Sequence, residues 1–484
     1  MEEIDINYLK QKTTVSVVFL TLRNIGIQII STLGFFLLTI LLGTGEVGLF
    51  AIVAESVAIL GYFSDIGLAS ALIQKKDPIT DEELKTTFLI QQILVILALF
   101  VVFLIYPKVS LAHGYGPKET WILVSLCFSF IAASLKTIPS VQLERQLNFK
   151  LLSTIDIIEN ISFYLVAVIF AFLHFGVYSY AIATFVRSTI GLIVIYCFSP
   201  WPIGFAFSLS SIKNLFKFGI PFQLNSFIAM AKDRLSNLFV AGIIGRESFG
   251  ILSWAQKGPR IPLSFMDAIM RVTFPTFSRI QEQKDFLRRS IEKSIYYISF
   301  FVFPTLAGIA MIAPDIINLI PKYNKWLPAI VPLYFYAVSA AIAAVTTPLT
   351  NAFNAVGKIS ITTKLMIMWT VLTWIFYPFL SYKFGYLGTS LATVIVGSSS
   401  FVVWYIANQV FNINTLKTII HPLFASLLMA TFLWLINQLH FTILIGLIIK
   451  ILVGIIIYSL YSLFFSRKQI IWFFEQLKWL SNKN

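Results

Sequence analysis

Long runs of apolar residues joined by short polar loops constrain this chain more than any other feature. About fourteen such runs can be drawn, and most are longer than the roughly 20 residues that an α-helix needs to cross a bilayer. Their approximate limits are 14–42, 46–73, 86–107, 119–139, 151–173, 176–197, 213–243, 246–272, 290–313, 327–350, 360–381, 384–410, 416–436 and 441–464. The composition, 58% hydrophobic and 12% charged, is also that of a membrane protein. We therefore expect an all-α polytopic membrane protein with about 14 transmembrane helices.

The lysines and arginines are unevenly distributed between the two ends of these runs. If the N-terminus lies inside the cell, 23 of them, including Lys136, fall in inner segments and 6 in outer segments, while 7, including Arg187 and Lys450, lie within the runs. Cytoplasmic loops carry such an excess of Lys and Arg, which also explains the net charge of +14 without a nucleic-acid partner. We expect both termini in the cytoplasm, an uncleaved first helix, and a location in the cell (inner, cytoplasmic) membrane.

The chain repeats itself at a nearly constant spacing. Gly43–Gly48 (GTGEVG) matches Gly245–Gly250 (GRESFG) at an offset of 202 residues, and Phe175–Thr184 matches Phe384–Thr393 at an offset of 209. Such matches indicate two pseudo-symmetric halves of the same orientation, and parallel repeats are a transporter architecture. The predicted parts are an N-terminal six-helix lobe, a C-terminal six-helix lobe, two additional transmembrane helices and an amphipathic cytoplasmic tail, at residues 1–200, 201–412, 413–466 and 467–484.

Two of the apolar runs, the seventh and the eighth, carry cations that a bilayer should reject. These cations are Lys232, Arg234, Lys257 and Arg260. Each costs roughly 2.5–3.5 kcal/mol at the centre of a membrane helix, so they are expected to face a wet cavity or a charged partner. Pro259 and Pro262 are expected to break the eighth predicted helix and to free backbone carbonyls, which then need water or neighbouring protein groups as partners. The sequence favours a polar path for an anionic substrate; the alternative is that Asp233 and other acids pair with the cations and brace a helix bundle.

A polar stripe on the first predicted helix also indicates a central cavity. Arg23, Asn24 and Gln28 lie on one side of this helix together with serines and threonines, and apolar residues lie opposite. On the seventh predicted helix, Asn225 falls within about 40° of Lys232 if each residue turns the helix by 100°. We expect Arg23 at the cavity, with Asn24, Gln28 and Asn225 as its polar lining. A polar seam between packed helices is the alternative.

Six carboxylates also lie inside the apolar runs, away from the ends of the runs. They are Glu55, Asp65, Asp156, Glu159, Asp233 and Asp267. Asp156 and Glu159 are three residues apart and so share a helix face. Because a proton or a cation readily neutralises a buried carboxylate, Asp65, Asp156 and Glu159 are candidates for H⁺ or Na⁺ coupling. For any one of them, simple pairing with a cation is the alternative.

The sequence gives little indication of an enzymatic function. Both cysteines lie in apolar runs and the four histidines show no ligand spacing, so we expect no disulfide, no metal site and no cofactor. A membrane enzyme such as a lipid-linked glycosyltransferase needs a sizeable loop with acid and base groups. The loops here are short, so we do not expect an enzyme.

Three segments resemble one transporter family. Leu252–Pro262 (LSWAQKGPRIP) and Val272–Gln281 (VTFPTFSRIQ) are similar to the eighth helix and the following loop of polysaccharide exporters, and Pro139–Lys150 resembles the loop after their fourth helix. These exporters are the Wzx-type O-unit flippases and the colanic and teichuronic acid exporters, in the polysaccharide transporter family of the MOP (MATE-like) superfamily. The helix number and the duplication agree with this family along nearly the whole chain.

The resemblance implies a flippase that moves a polyprenyl-pyrophosphate-linked oligosaccharide, a repeat unit of O-antigen (lipopolysaccharide) or exopolysaccharide, by alternating access. It implies cavity cations on the first, seventh and eighth helices, here Arg23, Lys232 or Arg234, and Arg260, with Lys257 as an addition. The implied partners are this lipid-linked substrate, membrane lipids, polysaccharide polymerase or export machinery, and a coupling H⁺ or Na⁺. The alternative is a MATE-type cation-coupled drug or metabolite antiporter, which the intramembrane cations disfavour.

Overall fold

Regular structure is helical throughout the part of the chain that a computed structural model describes, residues 6–65, 67–75, 78–114, 116–209, 213, 227–439 and 441–465. The helices are α1 (Ile6–Leu41), α2 (Thr44–Asp65), α3 (Leu68–Gln74), α4 (Asp81–His113), α5 (Pro117–Arg145), α6 (Phe149–Phe172), α7 (Tyr178–Phe198), α8 (Ser236–Arg279), α9 (Lys284–Leu319), α10 (Ile330–Ala355), α11 (Ile359–Ser398), α12 (Phe401–Phe411), α13 (Thr415–Asn437) and α14 (Ile443–Phe465). A π-helix, Ala231–Leu235, runs directly into α8, and 3₁₀ turns at Pro321–Ala329 precede α10. The prediction of an all-α protein is confirmed.

Eleven helical stretches among these residues are long and apolar enough to cross a membrane, so the chain is a multi-pass membrane protein. Two of them, Phe227–Arg279 and Ile359–Phe411, have 53 residues each. A helix of that length is about 80 Å long, more than twice the hydrocarbon thickness of a bilayer. Each contains a glycine with positive φ, Gly245 (78°) or Gly385 (59°), near the boundary of two predicted apolar runs. The number fourteen and the two six-helix lobes stay predictions.

The α8 helix continues through the two prolines that were expected to break it. Pro259 and Pro262 both lie inside α8, and the residue that departs from helical backbone angles is Gly245. The predicted break at the prolines is therefore wrong. Inside a membrane, neighbouring helices and side chains can satisfy the carbonyls that a proline frees, so proline need not end a helix. Glycine can end one, because it enters the left-handed region without a steric penalty.

The chain divides into two compact units, Met1–Gly250 and Ile251–Asn484. In the first unit, α6 packs against α1 and α7, α7 packs against α5, and α2 packs against α4 and α5. One of its cores surrounds the buried side chains of Phe88, Ile138 and Trp201. This packing brings the polar faces of α1, α5, α6 and α7 together.

The two matching glycine turns of the internal repeat lie against each other within the first unit. A Cβ on Gly48 would overlap the carbonyl oxygen of Arg246, and a Cβ on Gly250 would overlap the carbonyl oxygen of Thr44. Side chains at these positions would prevent so close an approach of two backbones. The glycines of the repeat thus have a packing role.

In the second unit, α9 packs against α10, α13 and α14, and α10 packs against α11. Its largest described core includes Ile291 of α9, Phe353 of α10 and Val403 of α12. The last two helices are fixed to α9 and to each other. The hydroxyl of Tyr458 on α14 donates to the carbonyl of Phe300 on α9 at 2.6 Å, and α13 packs along both helices.

Candidate functional site

Five charged side chains from four helices of the first unit form one group. Asp156 and Glu159, on one face of α6, supply two carboxylates. Arg23 of α1 pairs with Asp156, with 3.0 Å between Nη1 and Oδ2. Lys136 of α5 pairs with Glu159, and Nε of Arg187 on α7 lies 3.6 Å from the other carboxylate oxygen of Glu159. Asp156 also lies within electrostatic range of Glu159, Lys136 and Arg187, and Glu144 lies within range of Arg23 and Asp156. We call the five residues joined by these ion pairs the five-charge cluster.

The two arginines of the five-charge cluster are engaged to different degrees. Arg23 directs Nη1 to Asp156, and its Nε and Nη2 donate to Oδ1 of Asn24 at 3.2 and 3.1 Å. Arg187 makes the longer approach to Glu159, and its guanidinium carbon lies 5.9 Å from the centroid of the Phe163 ring. The side chain of Arg187 is 41% exposed, against 26% for Arg23. Each nitrogen of the Arg23 guanidinium thus has an acceptor, whereas the Arg187 guanidinium has one longer contact with Glu159.

Glu159 sits in a space that a glycine leaves open. A Cβ on Gly191 of α7 would overlap the Glu159 carboxylate. Glu159 is 6% exposed, and a carboxylate so buried needs its ion pairs because desolvation strongly disfavours an unpaired charge. The backbone of α7 therefore determines where the Glu159 carboxylate lies.

A second polar site lies where α2 faces the π-helix. A cavity of 480 Å³ is lined there by side chains that include Glu55, Tyr62, Asp233, Arg234 and Asn237. Arg234 donates to Glu55 at 2.8 Å, and Lys232 donates to its neighbour Asp233 at 2.6 Å. A π-helix has a wider turn than an α-helix and is frequent at functional sites. The 100° per residue used to align Lys232 with Asn225 does not hold across it.

The eighth helix carries the last group of predicted cations, in the second unit. Nη2 of Arg260 lies 3.3 Å from Oδ2 of Asp267, two turns later on α8. The Arg260 side chain is 63% exposed, and Lys257 lies one turn before it, also exposed. An ion pair this open to its surroundings leaves most of the guanidinium accessible.

Most of the predicted cavity cations are thus paired with acids that the sequence also identified. The paired cations are Arg23, Lys232, Arg234 and Arg260. Ion pairing, the alternative interpretation, is present at all four positions, and substrate contact at them stays a prediction. Asn24 contacts Arg23, and Gln28 donates to Thr32 at 3.4 Å. Asn225 and the side chain of Asp65 lie outside the described residues.

Sequence reasoning missed two members of the five-charge cluster. The sequence assigns Lys136 to a cytoplasmic segment, but the structure places it inside α5 with an 18% exposed side chain. The sequence also gives Arg187 no role. A signal was present for Arg187, because a cation inside an apolar run requires a partner or a wet surface. For Lys136 the signal was weaker, because it lies three residues before the end of the run at 119–139.

An apolar groove of 680 Å³ lies between α9, α13 and α14 in the second unit. It extends along α9 from Tyr296 to Ile312, about 24 Å at the rise of an α-helix. Lys450 of α14 lies at one end, is 3% exposed and pairs with Asp315 of α9. The sequence left open whether Lys450 pairs or extends to the membrane surface, and the structure shows pairing.

The arginines of these sites can bind an anionic ligand. Guanidinium groups hold oxyanions through paired, charge-assisted hydrogen bonds, and the acids beside them supply exchangeable partners. Among the residues whose placement is described, no three His, Cys, Asp or Glu side chains are grouped to hold a metal ion.

Comparison with known proteins finds related sequences. Residues 37–331 match the model of a family described as polysaccharide biosynthesis protein. The chain is 26% identical over 300 residues to the teichuronic acid biosynthesis protein TuaB of Bacillus subtilis (strain 168), a match that covers 61% of each chain and so less than two thirds of TuaB. It is 24% identical over 361 residues to the lipopolysaccharide biosynthesis protein WzxC of Escherichia coli (strain K12), covering 72% of this chain and 71% of WzxC.

Solved structures share the fold. The lipid II flippase MurJ in an inward closed conformation matches with a TM-score of 0.76 and 16% identity, covering 93% of this chain and 99% of MurJ. An inward-facing multidrug resistance MATE transporter of the MOP superfamily matches with a TM-score of 0.60 and 14% identity, covering 80% and 94%. At such identities the likeness shows a MurJ- and MATE-like helical fold and no more.

Proposed function

This chain belongs to the polysaccharide biosynthesis protein family, whose model matches more than half of it, and on that premise we propose that it is a flippase for a polyprenyl-pyrophosphate-linked oligosaccharide. The substrate is a repeat unit of O-antigen or exopolysaccharide type, carried across the cytoplasmic membrane. The observation that carries the proposal is the concentration of cations inside membrane-spanning helices of a chain from this family. Such charges need a wet path or a charged partner.

The proposed path uses the cations as exchangeable partners. Arg234 and Arg260 are the most open of the paired cavity arginines, with side chains 48% and 63% exposed. A pyrophosphate can replace a carboxylate on a guanidinium because both offer oxygen atoms to the same planar fork. The remaining proposed contacts are Arg23, Lys232 and Lys257, with Asn24, Gln28 and Asn225 as polar lining.

The transport cycle that we propose is alternating access. Two six-helix lobes, 1–200 and 201–412, would expose the cations to one side of the membrane and then the other, while the lipid tail stays in the bilayer. Two further helices at 413–466 and an amphipathic tail at 467–484, which lies outside the described residues, follow in this proposal, with both termini in the cytoplasm. Asp65, Asp156 and Glu159 are the proposed sites of H⁺ or Na⁺ coupling.

Reconstitution tests this function directly. The purified protein is placed in proteoliposomes with a lipid-linked oligosaccharide, and its movement between leaflets is measured. We expect Arg260→Ala to abolish transport at normal membrane levels, because the pyrophosphate loses a charge-assisted contact in a low-dielectric path. Arg260→Lys should restore part of it, since lysine keeps the charge without the planar fork. Lys364→Ala, an exposed lysine on α11, is the control and should transport normally.

Two outcomes would contradict the proposal. Wild-type protein that moves no lipid-linked oligosaccharide would refute the flippase function. Full activity of Arg260→Ala would refute the role of that residue. The drug-antiporter alternative is less supported, because the matched family and the two relatives described above are named for polysaccharide, teichuronic acid or lipopolysaccharide synthesis. Organic cations offered in the same proteoliposomes should not be transported.

A further inference from the structure

The five-charge cluster has three cations and two carboxylates, with the Glu144 carboxylate also in electrostatic range, and Arg187 is its cation that makes no hydrogen bond within the described residues. We propose that Arg187 is an additional substrate-binding residue, whose guanidinium binds an oxyanion of the transported molecule, either a phosphate or a sugar carboxylate. This inference rests on the proposed flippase function. It adds a contact in the first unit that neither the sequence nor the family match assigns.

The partners of the other two cations show that neither carboxylate of the cluster depends on Arg187 alone. Asp156 is matched by Arg23, whose remaining nitrogens are held by Asn24. Glu159 is matched by Lys136, which donates directly to its carboxylate. Both carboxylates therefore have a cation without any contribution from Arg187. The 3.6 Å separation between Nε of Arg187 and Glu159 is longer than a normal hydrogen bond.

The terminal nitrogens of Arg187 are available to a ligand. Within the described ranges, Nη1 and Nη2 of Arg187 make no hydrogen bond, and the side chain is 41% exposed. Phe163 lies beside the guanidinium, so one side of the group is apolar. A cation placed this way inside a membrane-spanning helix gains most from an anionic ligand that bonds both terminal nitrogens.

Glu159 orients the arginine rather than neutralising it. The carboxylate is fixed by the space at Gly191, on the same helix as Arg187 and one turn later. It attracts Nε, which leaves the opposite edge of the guanidinium, the fork of two Nη atoms, turned away from it. A fork held in this way matches the two oxygens of a carboxylate or a phosphate.

Binding measurements with three probes test the inference on the full-length protein in nanodiscs. The probes are polyprenyl pyrophosphate, the same lipid with a neutral oligosaccharide, and the same lipid with an oligosaccharide that contains a uronic acid. We expect Arg187→Gln to raise Kd by about tenfold, equivalent to about 1.4 kcal/mol, for every probe that uses the site. Arg187→Lys should recover part of the affinity. Weakening with all three probes assigns the site to phosphate, and weakening with the uronic acid probe alone assigns it to the sugar carboxylate.

The control is Lys383→Gln, which removes a cation that also lies over an aromatic ring, that of Phe379 at 4.7 Å. It should leave all three Kd values unchanged. If wild type binds the probes and Arg187→Gln binds them equally well, the role of Arg187 is overturned while the flippase function stands. If wild type binds none of them, the proposed function fails and this inference with it. A purely structural Arg187 would lower the unfolding temperature in both variants while the folded protein kept the wild-type Kd for every probe, and that pattern also overturns the proposal.

Discussion

Two groups of charged side chains inside the membrane-spanning helices differ in how far they are buried. In the second unit, Lys450 is 3% exposed, its partner Asp315 has a 21% exposed side chain, and the pair borders an apolar groove. In the first unit, the Asp156 and Arg187 side chains of the five-charge cluster are 44% and 41% exposed. The first arrangement is mostly closed, whereas the second is partly open. Accessibility to a ligand, more than the presence of charge, therefore distinguishes the two groups.

The physical reason lies in solvation. A fully desolvated pair depends on both partners, since either charge alone in a low-dielectric interior is strongly unfavourable. A partly exposed pair contributes little to stability where water solvates its partners. The Lys450–Asp315 pair should therefore hold α9 and α14 together, while Asp156 and Arg187, the most exposed members of the five-charge cluster, can exchange partners at low cost.

The largest effect is expected from breaking the closed pair. Lys450→Ala leaves the Asp315 carboxylate without its cation, and removal of one partner of a buried pair destabilises by about 3–5 kcal/mol. We expect a marked fall in unfolding temperature in detergent and low amounts of folded protein in membranes. Thermal unfolding followed by size-exclusion chromatography measures both.

A double variant sharpens the same test. Lys450→Met combined with Asp315→Leu removes both charges at similar volume, and it should restore most of the stability that Lys450→Ala loses. Lys364→Ala, on an exposed position of α11, should leave the unfolding temperature unchanged. If Lys450→Ala were as stable as wild type, the pair would not be a structural device.

The next effect compares one glycine in each region. A Cβ on Gly191 would overlap the Glu159 carboxylate, whereas Gly308, which lines the apolar groove on α9, has nothing within 4 Å of its Cβ position. Gly191→Ala should displace Glu159 and reduce transport of the lipid-linked oligosaccharide by about tenfold or more, because a small displacement of a binding group has large kinetic effects. Gly308→Ala should transport normally. Equal activity of the two variants would remove the five-charge cluster from the transport path.

Much of the arrangement of helices and charged residues could be predicted from the sequence, and the parts that could not be predicted have physical reasons. Apolar runs ended close to Gly245 and Gly385, where the long helices depart from helical geometry, because glycine is the residue that makes such a break inexpensive. The acids and most of the cations were also identifiable as charges inside apolar runs. The sequence did not show which acid pairs with which cation. Arg23 and Asp156, for example, are 133 residues apart and are brought together by the packing of α1 on α6.

Local geometry limited the prediction in other places. Lys136 lies so close to the end of the run at 119–139 that the sequence does not show whether it belongs to the membrane-spanning part or to the cytoplasmic segment. The π-helix at Ala231–Leu235 changes the angle between successive side chains, and no residue type marks it in advance. Prolines in α8 were expected to break a helix that the surrounding packing preserves.

Ion coupling provides a third, smaller effect. If Asp65, Asp156 or Glu159 carries a coupling ion, then Asp65→Asn, Asp156→Asn or Glu159→Gln should still bind substrate but lose accumulation driven by an ion gradient. Proteoliposomes with and without imposed pH and Na⁺ gradients separate these properties. Asp315→Asn, in the closed pair, should keep any gradient dependence that survives its lower stability. Unchanged gradient-driven rates in all three variants would leave these acids as ion-pair partners, with transport drawn forward by polymerisation outside.

The smallest effect is expected at the Glu55–Arg234 pair, whose side chains are 24% and 48% exposed. Its 2.8 Å hydrogen bond is as short as that of a buried pair, so distance alone would place it with Lys450–Asp315. Exposure argues otherwise, because partly solvated pairs contribute about 0–1 kcal/mol. A double-mutant cycle with Glu55→Gln and Arg234→Gln, followed by thermal unfolding, measures the coupling energy. A coupling energy below about 1 kcal/mol would group this pair with the open five-charge cluster, as a site whose partners can exchange. A coupling energy near the roughly 3–5 kcal/mol of a buried pair would make it a second ion pair that stabilises the fold.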